Sequence, residues 1–203
     1  MPRQVFDCVV PAAGASSRMG AWKPLLPWGG STIIETIVNT VLEAGLRPIV
    51  VAGFRGGELR ALLGGREGLL VVDNPDWEGG MAGSLLAGAG EVRGEAFFVL
   101  PADMPGVGAG IFRLLLAARL EGAARDETLF ASCRGQPGHP VLIPTALLPA
   151  LGELEIGQRA RDLLMARPHR LVETGDPAVL ADLDTEAEYR AARPGAGPGG
   201  FPA

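Results

Sequence analysis

Short, continuous apolar runs alternate with stretches of helical periodicity through the first part of this chain, and few architectures satisfy that pattern. Val5 to Val10, Pro48 to Ala52 (PIVVA), Leu69 to Asp73 (LLVVD) and Phe97 to Pro105 (FFVLPADMP) have the length and apolarity of strands buried on both faces. A helical segment follows each. Thr32 to Glu35 is a capping-box pattern, and Ile33, Ile34, Ile37, Val38, Val41 and Leu42 recur at helical spacing until Gly45 stops the helix. Glu58 to Leu63, Met81 to Ala89 and Ile111 to Leu120 supply the next three helices. Four strand-to-helix steps predict an α/β fold, a three-layer αβα arrangement around a mostly parallel, Rossmann-like sheet.

The second half is less regular. Leu129 to Cys133 and His139 to Pro144 are strand-like runs separated by the turn RGQPG, and Leu147 to Leu151 makes a short helix. Gln158 to Met165 reads as helix and His169 to Glu173 as a short strand, and a second capping box at Thr185 to Glu188 opens a last helix through Arg193. With 203 residues, 47% of them hydrophobic, the chain can bury one sizeable core. Residues 1–193 are expected to form a single domain. The last ten residues (194–203, PGAGPGGFPA) have little to bury and are expected to be a disordered tail.

A net charge of -5 excludes bulk nucleic acid and anionic membranes as partners by general attraction, so any bound anion must be held by a few focused cations. The chain opens without a charged leader followed by an apolar run, and its two cysteines, Cys8 and Cys133, lack metal-ligand spacing. Both features fit a cytoplasmic protein with buried, reduced thiols.

Where the first strand ends, Pro11 to Gly30 reads PAAGASSRMGAWKPLLPWGG. Gly14 and the small residues Ala12, Ala13, Ala15, Ser16 and Ser17 allow backbone N–H groups to approach phosphate oxygens, and Arg18 and Lys23 supply two cations. The stretch is not a Walker loop and lacks the G-x-G-x-x-G spacing, so by spacing alone it reads equally as a Gly-rich βα turn with two solvated cations. Asp103 follows an apolar strand and lies between Pro101 and Pro105. A lone carboxylate there suits Mg²⁺, which takes one or two protein carboxylates together with substrate phosphates, but it equally suits a helix N-cap. Asp182 and Asp184, two apart, would share one side of an extended strand, while Asp184 and Thr185 also suit a cap.

PAAGASSRMG followed by WKPLLPW resembles the signature loop of the MobA-like nucleotidyltransferases and is most similar to their molybdenum cofactor cytidylyltransferase branch. That resemblance implies the nucleotide-diphospho-sugar transferase-like fold and transfer of CMP from CTP to the terminal phosphate of a molybdopterin-type cofactor, with pyrophosphate leaving. It places the triphosphate in the loop, on Ala12, Ala13, Gly14, Ser16, Ser17, Arg18 and Lys23, with Gly80 and Ser84 of a GMxxSL element near the base. Relatives that use GTP tend to carry a second Gly where Ala13 stands, so CTP is favoured. ADMP, Ala102 to Pro105, matches the family's metal motif and makes Asp103 the Mg²⁺ ligand, shared with Asp182 or Asp184 of the D-x-D-T element. Lys23, Arg18 and Asp103 thereby become the catalytic residues. RGQPGHPVLIP is similar to the pterin-facing segment and assigns Pro137, Gly138 and His139 to the acceptor, and Arg161 to the acceptor's phosphate.

One element departs from the family pattern: a G-D-x-G-A-R stretch is here IGQRAR, Ile156 to Arg161, keeping only Ala160 and Arg161. The same resemblance leaves open a GTP-dependent guanylyltransferase, a sugar- or alcohol-phosphate nucleotidyltransferase, or a non-catalytic molybdopterin carrier that serves a recipient molybdoenzyme.

Overall fold

The four runs of the first half all become parallel neighbours, because each is apolar on both faces and each is returned by a helix. The computed structural model describes residues 6–16, 19, 21–154 and 158–195. In chain order these give β1 (Asp7–Pro11), a two-residue hairpin of β2 (Pro27–Trp28) and β3 (Ser31–Thr32), α1 (Ile33–Glu43), β4 (Arg47–Ala52), α2 (Gly56–Leu63), β5 (Leu70–Asp73), α3 (Met81–Ala89), β6 (Ala96–Val99) and α4 (Ala109–Leu120). There follow β7 (Thr128–Cys133), β8 (Gln136–Pro144), α5 (Leu148–Gly152), α6 (Ala160–Met165), β9 (His169–Glu173) and α7 (Glu186–Ala192). The sheet order is β5-β4-β1-β6-β8-β7-β9, and only β8 runs against the others.

Alternation along the strands divides the core between two faces. Cys8 and Val10 of β1 pack with Ile33, Ile37 and Val41 of α1, Leu59 and Leu63 of α2, and Phe112 and Leu115 of α4. Val9 faces the other way, with Leu85 of α3, Leu151 of α5 and Leu164 of α6. This is the three-layer αβα architecture, with the mostly parallel sheet in the middle. Both capping boxes form. Thr32 accepts from the Glu35 amide while the Glu35 carboxylate accepts from the Thr32 amide, and Thr185 and Glu188 repeat the arrangement on α7.

Three local expectations are corrected. The fourth strand ends at Val99 rather than running to Pro105, because Pro101 and Pro105 have no N–H to donate and the chain leaves the sheet in a loop that carries Asp103. The turn between β7 and β8 is only Arg134 and Gly135, both at positive φ (52° and 74°), as a two-residue hairpin requires, and Gln136 to Gly138 already belong to β8. Asp182 and Asp184 are not in a strand: residues 181–184 are irregular and have no sheet partner. Cys8 and Cys133 are free and buried. The last helix ends at Ala192, and residues 196–203 of the expected tail lie outside the described residues. Among the described residues no helix is long and apolar enough to cross a membrane.

One strand-end carboxylate fixes the β7–β8 hairpin. Glu173 accepts from the amides of Arg134 (2.9 Å), Gly135 (3.1 Å) and Gly175 (3.2 Å) and from the Ser132 hydroxyl (3.2 Å). The Gly135 and Arg134 amides hold its carboxyl below the usual range. A carboxyl lowered in the folded state stabilises above its ordinary pKa and stops doing so as pH falls through the lowered value. Glu173→Gln is therefore expected to flatten the acid limb of stability below about pH 5, read from urea midpoints across pH. An acid limb with wild-type slope would contradict this.

Candidate active site

The described residues of the loop after β1 are tied to one another by hydrogen bonds and backed by aromatic rings. The Trp22 indole N–H donates to the Gly14 carbonyl (3.1 Å), and the Lys23 amide donates to the Ser16 hydroxyl (3.2 Å), with Ser16 at φ 52°. Behind it Trp22, Phe54 and Trp77 make successive edge-to-face contacts (6.1 and 5.6 Å), and the Arg55 guanidinium covers Trp22 at 5.1 Å. The loop's small residues do not all serve as donors. The Ala12 amide is committed to the Val51 carbonyl (3.0 Å) and the Ala13 carbonyl to the Phe54 amide (3.0 Å), because the sheet continues through them. Ala12, Gly14 and Ser16 line a cavity of about 150 Å³, which Ala13 does not reach. Ser17 and Arg18 lie outside the described residues.

The other side of that cavity carries the charge. Lys23, only 8% exposed, donates from Nζ to Asp103 Oδ2 (3.2 Å) and to Asp184 Oδ1 (3.0 Å). Segments remote in sequence meet here for identifiable reasons. The Leu183 amide donates to the Asp103 carbonyl (3.0 Å), Val179 is fully buried beneath the preceding turn, and the Tyr189 hydroxyl donates to the Pro27 carbonyl (2.6 Å). Burial pushes the Asp103 carboxyl up from its ordinary value, Lys23 opposes this, and Asp182 and Asp184 add to it. Asp182 itself is exposed.

A second, larger cavity of about 590 Å³ adjoins the first, with Met81 and Pro101 in the walls of both. It is mainly apolar, with Leu85 and Leu86 from α3, Val141 and Ile143 from β8, and Leu151 and Leu164 opposite. Gly80, at φ 97°, lines it. So do Gly138 and His139, because the β7–β8 pairing slips between Phe130 and Ser132 and leaves residues 138–140 bulged out of register. Burial, and secondarily the charge of Arg161, lowers the His139 ring to about 4. The folded state thus disfavours the imidazolium. It gains stability as pH rises from about 4 towards the ordinary histidine value and keeps that gain above it. The His139 ring is expected to stay neutral down to about pH 4 by NMR titration; a midpoint near 6.5 would contradict the enclosure.

Not every candidate residue reaches a cavity. Ser84 is buried, accepts from Asn74 Nδ2 (3.1 Å) and donates to the Gly80 carbonyl (3.5 Å), so it orders the turn that presents Gly80. Pro137 lines neither cavity; its carbonyl accepts from Arg161 Nη2 (2.8 Å), and Arg161 lies on the larger cavity's wall. Sequence reading missed Asn74, Arg159, the Trp22–Phe54–Trp77 stack and the turn over Pro177–Leu180. That turn had a signal: Asp176 before Pro177 is a helix start, and the Asp176 carboxylate accepts from the Ala178 amide (2.9 Å).

Residues 8–171 match the MobA-like NTP transferase domain. The chain is 34% identical to molybdenum cofactor cytidylyltransferase of Escherichia coli (strain K12), over 93% of this chain and 95% of that protein. It is also 31% identical to nicotine blue oxidoreductase of Paenarthrobacter nicotinovorans, over 90% of this chain and 94% of that one. A solved nucleotidyl transferase from Methanothermobacter thermautotroptrophicus superposes with a TM-score of 0.80 at 28% identity, covering 94% of this chain and 97% of its own. The chain belongs to the MobA-like NTP transferase family and has the fold of the nucleotide-diphospho-sugar transferases. Such nucleotidyltransferases generally use a divalent metal ion.

Proposed function

We propose that the protein transfers CMP from CTP to the terminal phosphate of a molybdopterin-type cofactor and releases pyrophosphate. The observation that carries this reading is the pairing of cavities: a small one that carries the charges of Lys23 and Asp103, adjoining a large, mainly apolar one with which it shares Met81 and Pro101. The first suits phosphates and the second suits rings. The 34% identity to a cytidylyltransferase over nearly the full length of both chains supports the donor and acceptor.

In this reading Gly14 and Ser16 line the triphosphate, Lys23 neutralises it, and Ser17 and Arg18 are assigned to it by the family motif alone. Ala12 and Ala13 shape the loop rather than donate. The acceptor's phosphate, already ionised, attacks the α-phosphorus in line as pyrophosphate departs, so the protein's work is positioning and charge stabilisation. Gly80 and the Ser84-ordered turn face the base, and Gly138 and His139 face the acceptor's ring.

The residues present fit Mg²⁺. Asp103 and Asp184 converge on the Lys23 ammonium, so the two carboxylates already surround a cation, and their oxygen donors are the kind Mg²⁺ prefers. Among the described residues no group of three or more His, Cys, Asp or Glu is placed to hold a metal unaided, which agrees with an ion that completes its shell with phosphates and water. Asp103 and Asp184 would hold it, with exposed Asp182 adding charge. Bound there, it would supply charge stabilisation to the reacting phosphates.

We further propose that residues 1–193 work as one domain in the cytoplasm, where Cys8 and Cys133 stay reduced, and that the product passes to a recipient molybdoenzyme. Pyrophosphate release across the four nucleoside triphosphates, with molybdopterin and Mg²⁺, tests the reading. Release with CTP that requires the acceptor is expected. Release with GTP would make it a guanylyltransferase, and acceptor binding without release from any nucleotide would make it a carrier. The oxidoreductase relative favours one further control, a search for absorbance change with reduced nicotinamide, where none is expected.

A further inference from the structure

We propose that Gly53 is a positioning residue for the donor nucleotide: its bare Cα lets Ala13 of the triphosphate loop and Trp77 of the base-facing turn meet over the end of β4. This rests on the reading above and extends it to a residue that lines neither cavity.

The need for such a residue comes from the strand order. The two loops leave β1 and β5, which are not neighbours but flank β4, so they start about 10 Å apart. Whatever follows β4 stands between them, and the next residue is Gly53. A Cβ on Gly53 would lie 2.7 Å from the Ala13 Cβ, and 2.6 and 2.8 Å from the Trp77 Cβ and Cγ. Ala13 and Trp77 therefore occupy the space that the side chain of any other residue would fill. Backbone conformation does not ask for a glycine here, because Gly53 is not at positive φ.

The meeting point is fastened on both sides. The Phe54 amide donates to the Ala13 carbonyl (3.0 Å), and the Asn74 amide donates to the Ala52 carbonyl (2.8 Å). A second route closes a ring: Trp77 meets Phe54, Phe54 meets Trp22, and the Trp22 indole donates to the Gly14 carbonyl. Residues that line the cavities come next in the chain on each side. Ala12 and Gly14 flank Ala13 and line the small cavity. Gly79 and Gly80 follow Trp77 and line the large one, and the Gly80 amide donates to the Trp77 carbonyl (3.2 Å). Carbon atoms in ordinary contact stand about 3.5–4.0 Å apart, so a Cβ on Gly53 must drive one or both loops away by about 1 Å. A nucleotide held by both loops at once then loses its fit.

The test compares wild type with Gly53→Ala, Ala13→Gly and the double variant, at a temperature where far-UV circular dichroism shows each of them folded. Binding of the nucleoside triphosphate that wild type prefers, with Mg²⁺, is read by calorimetry, and turnover by pyrophosphate release. Gly53→Ala is expected to weaken nucleotide binding about 10-fold and to lower kcat/KM for the nucleotide about 100-fold. The acceptor KM is expected to stay within about 3-fold, since Gly138 and His139 of β8 are untouched. In the Ala13→Gly background, where one of the two obstructions is gone, the same substitution should weaken binding only about 3-fold. Gly64→Ala is the control for a clash away from both cavities: its added carbon would stand 2.5 Å from the Arg60 carbonyl oxygen, so it should lower the melting temperature and keep nucleotide affinity. Trp77→Ala loosens the same contact without adding bulk and is expected to weaken nucleotide binding about 10-fold. Equal losses of affinity in Gly53→Ala and Gly64→Ala, equal costs of Gly53→Ala in the two backgrounds, or wild-type affinity in Trp77→Ala would each overturn the proposal. Wild type that binds nucleotide with the expected coupling between positions 13 and 53 but releases no pyrophosphate would overturn the transferase reading and leave the positioning role standing. Wild type that binds no nucleoside triphosphate would overturn both.

Discussion

Asp103→Ala is expected to lower turnover by about a hundred- to a thousand-fold while leaving thermal unfolding at or slightly above that of wild type. The two halves of this prediction have one physical source. Burial holds the Asp103 carboxyl above its ordinary range, and the carboxylates of Asp182 and Asp184 raise it further. The ionised side chain is therefore kept in the fold at a cost, and removing it relieves that cost. Lys23 keeps Asp184 as a partner at 3.0 Å, so its charge is not left without one. What disappears is the carboxylate that would hold a divalent ion beside the reacting phosphates. Steady-state pyrophosphate release and a thermal melt on the same preparation read both halves. Wild-type turnover would remove Asp103 from the chemistry, and a large fall in melting temperature would make it a structural residue.

Gly138→Ala is expected to destabilise the protein by about 3 kcal/mol, which for a chain of this size lowers the melting temperature by roughly 6–12 °C. A Cβ there would stand 2.0 Å from the Val179 carbonyl oxygen and 2.7 Å from its carbon. Both are backbone atoms and cannot rotate aside as a side chain end would. Relief requires either the bulge in β8 or the Pro177–Leu180 turn to shift, and that turn leads to Leu183, whose amide is bonded to Asp103, and then to Asp184. The same substitution should therefore cost activity beyond what instability explains, even at low temperature where the variant is folded. Gly57→Ala is the control: it lies in α2 with nothing within 4 Å of the added carbon, and a change within about 1 kcal/mol, in the stabilising direction, is expected. Equal effects at the two positions would show that the Gly138–Val179 contact is not what fixes the turn.

The legibility of the sequence followed the range of the interactions. Helices and strands set by local periodicity were readable: α3 is the segment Met81–Ala89 that the apolar spacing marked, and both capping boxes close as their S/T-x-x-E patterns require. The residues of β8 were harder to assign, since Pro137 and Pro140 argue against a strand, and only the pairing with β7 shows that Pro137 stands opposite Ser132 and that a bulge of three residues absorbs Pro140. Within the site, Lys23 and Asp103 were legible from motif chemistry, but the contact of Lys23 with Asp184 spans 161 positions and depends on a turn held by burial of Val179. No local pattern encodes that contact. The reverse error occurred at Ser84 and Ala12: each carries the right kind of group for a ligand, and in each the fold had already used it, for Asn74 in one case and for the Val51 carbonyl in the other.

The most direct measurement is a crystal structure with a non-hydrolysable CTP analogue and Mn²⁺, the metal located by its anomalous signal. The account predicts the triphosphate in the small cavity against Gly14, Ser16 and Lys23, and an anomalous peak at Asp103. A triphosphate bound elsewhere, or a metal with no contact to Asp103, would contradict it.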